Sequence, residues 1–146
     1  MAKKIIDVES PFINTNVKSI QLKPCNVEKS KIKTLIAQTV KMFPKVTSLE
    51  LAMEDLEGFV SGSDLLALNS LKHVEKLNLQ YAESRHLRVL SLPSLREVEL
   101  GAFVRSRQSD WNIFLEKHPK LTRIDVQLIM EHKTKIAYLL CESVLN

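Results

Sequence analysis

The residues of this chain that could do chemistry are few and scattered. None of its four histidines, His73, His86, His118 and His132, pairs with Cys, Asp or Glu at metal-ligand spacing. The adjacent carboxylates Glu54 and Asp55 have no partner constellation that would make them an acid–base pair. No serine stands in a nucleophile-elbow pattern, and 3 glycines are too few for a phosphate-cradling loop. Cys25 and Cys141 lie far apart in the chain and read as two reduced thiols, Cys25 as structural, in a cytosolic or nuclear protein. These absences predict a protein that is not an enzyme and carries no metal or cofactor.

What recurs is a phrase rather than a catalytic set. The pattern apolar–x–x–apolar–x–apolar occurs five times, as Val17/Ile20/Leu22, Val46/Leu49/Leu51, Val74/Leu77/Leu79, Leu95/Val98/Leu100 and Leu121/Ile124/Val126. The intervals between first positions are 29, 28, 21 and 26 residues. The last two apolar positions are two apart, so they share one face of a short strand. The residue between them points the other way. Those middle residues are Gln21, Glu50, Asn78, Glu99 and Asp125: three acids and no base, in a chain of net charge +4. The flanking outward positions add Lys76, Glu97 and Arg123 before the middle residue, and Gln80 and Gln127 after it. Cross-strand ion pairing accounts for the alternating signs of Lys76, Glu97 and Arg123.

The elements that must position these residues follow from the spacing. One half-apolar strand cannot bury its face alone, and parallel stacking requires a crossover in each interval. "SKIKTLIAQTVKMF" supplies one, with Ile32, Leu35, Ile36, Thr39, Val40 and Phe43 at helical spacing and Ser30 or Asn26 as its N-cap. "SGSDLLALNSL" reads as a short helix capped by Ser63. "SDWNIFLEK" reads as another, starting at Ser109 or Asp110, with Trp111, Phe114 and Leu115 on its inner face. The 21-residue interval, "YAESRHLRVLSL", predicts a compressed, irregular or 3₁₀ return. Pro44, Pro93 and Pro119 each precede a first apolar position by two residues and close the returning helix, because the residue before proline is pushed out of helical geometry. His73 and His118 stand just before their strands and read as repeat-equivalent.

The bulk numbers agree with this plan. A chain of 146 residues with 45% apolar content fits one domain with a Leu/Ile/Val core. No apolar run reaches the roughly 18–20 residues of a membrane span, and "MAKKIIDVES" is not a secretory signal. The expected organisation is a cap or extra strand over 1–15, with Ile6 and Val8, repeats over 16–128, and an apolar-faced capping helix over 129–146. Lys29, Lys31, Lys33 and Lys41 read as a solvated helix face. The basic balance, with no Lys/Arg run of five, does not establish nucleic-acid binding, and the acidic column repels phosphate.

The phrases "FPKVTSLEL", "LPSLREVEL" and "HPKLTRIDV" resemble the leucine-rich repeats of F-box and ribonuclease-inhibitor-like proteins. The resemblance implies an α/β fold, a right-handed solenoid of about five parallel strands with irregular helical returns. It also implies non-catalytic recognition of a protein on the concave face, as in substrate recognition for a cullin-type ubiquitin ligase. That family places Asn or Cys three residues after the last strand apolar; here Cys25 complies, and Glu54, Ala82, Phe103 and Ile129 do not. The expected partner-binding residues are Gln21, Glu50, Lys76, Asn78, Gln80, Glu97, Glu99, Arg123 and Asp125, and the expected partner a protein with a basic or amide-rich surface. The alternative is an assembly module that self-associates through an exposed end of the array.

Overall fold

The computed structural model describes residues 13–22, 28–52, 60–103 and 106–128. Within them the five recurring phrases form five strands: β1 (Ser19–Leu22), β2 (Ser48–Ala52), β3 (Lys76–Gln80), β4 (Glu97–Phe103) and β5 (Arg123–Leu128). They make one all-parallel sheet in chain order. The returns are α1 (Lys29–Met42), α2 (Gly62–Leu65) running into a 3₁₀ turn at Leu66–Ser70, α3 (Ser84–Arg88) and α4 (Gln108–Lys117). The architecture is therefore α/β, and among the described residues no helix is long and apolar enough to cross a membrane.

The strands are in register at every phrase. Ile20, Leu49, Leu77, Val98 and Ile124 form one row across the sheet, and Leu22, Leu51, Leu79, Leu100 and Val126 form the next. The three inner strands bury both rows almost completely, whereas Ile20, Ile124 and Val126 on the outer strands stay half-buried. The helices close over these rows. α1 presents Ile32, Ile36 and Val40 at i, i+4, i+8, and its buried Thr39 hydroxyl donates to the Leu35 carbonyl at 2.8 Å. α4 presents Trp111 and Phe114, whose rings meet edge to face with centroids 6.2 Å apart, and Leu115 packs half-buried beside them.

A forked backbone ladder pins the register just before the strands begin. The Lys18 carbonyl accepts from the N–H groups of Thr47 and Ser48, at 2.9 and 3.0 Å. Thr47 does the same for Glu75 and Lys76, Glu75 for Arg96 and Glu97, and Arg96 for Thr122 and Arg123. Each carbonyl thus uses both lone pairs on the next phrase.

Several local expectations need correction. The α1 N-cap is Glu28, with no side-chain capping bond, so Ser30 lies inside the helix; Asn26 falls outside the described residues. α2 is capped by Ser61 rather than Ser63: its backbone N–H donates to Asp64 Oδ2 at 2.9 Å and its hydroxyl accepts from the Asp64 N–H, a reciprocal box. α4 begins one residue after Arg107, so neither Ser109 nor Asp110 caps it. The short interval forms a turn of α-helix, α3, and the 3₁₀ turn occurs one interval earlier, at Leu66–Ser70. Pro44 and Pro119 do follow helix ends directly, whereas Pro93 stands five residues beyond α3. Ile6, Val8, both cysteines, Glu54, Asp55, Ile129 and the expected 129–146 helix lie outside the described residues.

The returns are tied together by buried and half-buried polar groups. Asp110 accepts from the Ser84 hydroxyl at 2.9 Å, and that hydroxyl accepts from the Arg107 N–H at 2.8 Å. Asn69 bridges to the following return, donating to the Val89 carbonyl and accepting from the Ser91 N–H. His73 and His118 are not equivalent: His73 is exposed and His118 is buried. Among the described residues the buried histidines are His86 and His118. Glu83 N–H donates to His86 Nδ1, so Nε2 carries the proton and donates to the Val60 carbonyl. His118 is the opposite tautomer, with Nε2 accepting from the Leu92 N–H and Nδ1 donating to the Phe114 carbonyl.

Each imidazole is satisfied only when neutral, and burial lowers both pKa values from their ordinary value of 6.5. The unfolded rings then bind more protons as pH falls through about 6.5, so this contribution to stability is complete above that pH and is lost progressively below it. Urea unfolding at pH 7.5 and 5.5 is expected to show a lower midpoint at 5.5. Replacing both residues by Gln should flatten that pH dependence while lowering stability at pH 7.5. Leu79→Ala, at a fully buried position in the central strand, should cost about 2–5 kcal/mol in the same assay.

Candidate binding face

The sheet face opposite the helices is set by the same register. Gln21, Glu50, Asn78, Glu99 and Asp125 stand in one row, one residue per strand. Ser19, Ser48, Lys76, Glu97 and Arg123 form the row before it. All five expected central residues are therefore brought together, exposed or half-buried.

Much of this face is paired within itself. Gln21 Nε2 donates to Glu50 Oε1 at 2.8 Å. Gln80 Nε2 donates to Asn78 Oδ1 at 2.6 Å. Lys76 Nζ lies 3.5 Å from Glu97 Oε2, the cross-strand pair expected from the alternation of charge. Arg123 departs from that expectation: its Nε lies 2.8 Å from Asp125 Oδ2 on its own strand, rather than beside Glu97. The two ion pairs are solvent-exposed, and each contributes about 0–1 kcal/mol. Glu50 receives an amide and no cation, and Glu99 has no hydrogen bond or ion pair among the described residues. The two carboxylates stand on β2 and β4 with Asn78 between them, so their backbones are about 10 Å apart at ordinary strand spacing. Among the described residues, no three His, Cys, Asp or Glu side chains are grouped to hold a metal ion.

The third outward row does not continue the pattern. Ala52 and Gly101 are buried, and the row Ala52–Gln80–Gly101 stops there. Leu100 pairs with Val126 and Phe103 with Leu128, so β4 carries one extra residue and Gln127 loses its expected place beside Gly101. The Gln80 amide lies over Gly101, where an added Cβ would stand 2.0 Å from Gln80 Oε1. Beside this bulge two residues adopt left-handed backbone without being glycine, Tyr81 at φ 61° and Ala102 at φ 49°. The Tyr81 N–H donates to the Gly101 carbonyl at 2.9 Å, and its side chain is exposed at the end of β3. Neither residue was foreseen; nothing in "LQYAE" or "LGAFV" announces a positive φ.

No protein-family model, curated protein or solved structure matches this chain.

Left-handed geometry costs a residue with a Cβ roughly 1–2 kcal/mol, and glycine escapes that cost at a smaller entropic loss. Ala102→Gly should therefore raise the free energy of unfolding by about 0.5–1 kcal/mol, measured by urea titration. A loss of stability would contradict the left-handed assignment at this bulge.

Proposed function

We propose that this chain is a short right-handed leucine-rich-repeat solenoid whose concave sheet face recognises a protein partner. The observation that supports the reading is the row Gln21–Glu50–Asn78–Glu99–Asp125, aligned across five parallel strands on the side away from the helices. Arrays of this kind bind ligands on the face their stacked strands share. The nine outward residues Gln21, Glu50, Lys76, Asn78, Gln80, Glu97, Glu99, Arg123 and Asp125 carry four carboxylates and two cations, so the complement is basic or amide-rich. Glu50 and Glu99 lead the recognition because no cation of the described residues compensates them. The resemblance of the repeat phrases to those of F-box proteins extends the proposal by analogy to substrate recognition in a cullin-type ubiquitin ligase.

Affinity capture from a lysate of the source organism tests it, with native bait compared against folded Glu50→Lys, Glu99→Lys, Asp125→Lys bait. The expected outcome is a protein enriched by the native bait and reduced at least tenfold on the triple variant. Equal capture of every protein by the two baits would remove the acidic row from the recognition surface.

A further inference from the structure

We infer that the edge at which the strands begin is a second interaction surface, shaped for an extended acidic segment of a protein. The inference stands apart from the outward-face reading, because it rests on different residues and the opposite charge.

The forked carbonyl ladder runs along this edge and brings the five strand-leading segments side by side. Each carries an exposed cation: Lys18 before β1, Lys45 before β2, Lys72 before β3, Arg96 before β4 and Lys120 before β5. None of the five has a carboxylate within ion-pair distance among the described residues, whereas Lys31, Lys76, Arg85, Arg88 and Arg123 each do. The last turns of α1 and α4 reach the same edge and add Lys41 and Lys117. Over segments 16–18, 41–47, 70–75, 91–96 and 116–122 the chain has seven cations against Glu75 and Glu116. That net of five positive charges exceeds the +4 of the whole protein, so the basic excess is located here rather than spread over the surface.

The shape of the patch selects its partner. Five strands at about 4.8 Å spacing give a row of about 19 Å, the length of some six residues of extended peptide. The row is narrow. On one side it borders the outward face with Glu50, Glu97, Glu99 and Asp125, which repels the second backbone of a nucleic-acid duplex. Single-stranded nucleic acid needs aromatic platforms for its bases; among the described residues the exposed large hydrophobics are Ile13, Leu66 and Tyr81, and Tyr81, the aromatic one of these, lies past the opposite end of β3. A run of Asp or Glu side chains needs only the cations, and Glu75 and Glu116 leave the net charge strongly in its favour.

The test is fluorescence anisotropy of labelled deca-glutamate against the full chain at about 50 mM salt, where a Debye length of about 14 Å leaves contacts between neighbouring charges little screened. Lys45→Glu, Lys72→Glu, Arg96→Glu, Lys120→Glu should weaken binding at least tenfold. A control reversing Lys31, Lys33, Arg85 and Arg107, which lie off this edge, should change it less than twofold. If circular dichroism shows the edge variant unfolded, Gln at the same four positions replaces it, with an expected loss of at least fivefold. Absence of peptide binding, or equal loss in edge and control variants, would overturn the inference. So would tighter binding of single-stranded RNA than of the peptide, since that assigns the edge to nucleic acid instead.

Discussion

The structure depends on the need of five half-apolar strands to bury one face together. No single strand of four to seven residues can do so. Stacked in register, the five make two continuous apolar rows that the helices cover. The side-chain period of a strand is two, so a slip of one residue would bring polar residues such as Gln21, Glu50, Asn78, Glu99 and Asp125 into the apolar rows. The forked ladder from Lys18 through Thr47, Glu75 and Arg96 resists such a slip, because each carbonyl holds two N–H groups of the next phrase at once.

The surface chemistry is a by-product of the same register. Rows that bury Leu49 and Leu77 must expose Glu50 and Asn78, and the segments leading into the strands must bring their lysines to one edge. One sheet therefore presents an acidic face and a basic edge side by side. On the helical side the demand is different. There the returns are of unequal length, and polar side chains fill what helix packing leaves: half-buried Asn69 and buried Ser84, Asp110, His86 and His118 each bond backbone or side chain of a neighbouring return. The result is a layer in which both buried imidazoles are hydrogen-bonded in their neutral form.

The strands were legible because their signal is redundant: paired apolar residues two apart, a third apolar anchor, and Pro in three of five copies. The central outward row followed from that signal alone. The caps were less legible, since Ser61 and Ser63 are both good candidates; the deciding feature, S-x-x-D over Ser61 to Asp64, was nonetheless present. The fate of the histidines could also have been read. "HP" at 118–119 aligns with "LP" at 92–93 and "FP" at 43–44, and the residues before proline there, Leu92 and Phe43, are buried, whereas His73 has no such alignment. The β4 bulge and the left-handed Tyr81 and Ala102 had no signature, because they arise from how neighbouring strand ends meet rather than from local propensity. Side-chain pairing on the outward face was half legible: residue spacing located Lys76 beside Glu97, but the turn of Arg123 toward Asp125 depends on rotamers no spacing specifies.

The register row carries both surface assignments, so the most direct test is a map of cross-strand nuclear Overhauser effects between amide and α protons in the labelled full chain. The account predicts contacts that pair the neighbourhood of Leu49 with Leu77, Leu77 with Val98 and Val98 with Ile124, all in the parallel sense. A map shifted by one residue, or one pairing any two neighbouring strands antiparallel, would turn Glu50, Asn78 or Glu99 away from the common face and contradict it.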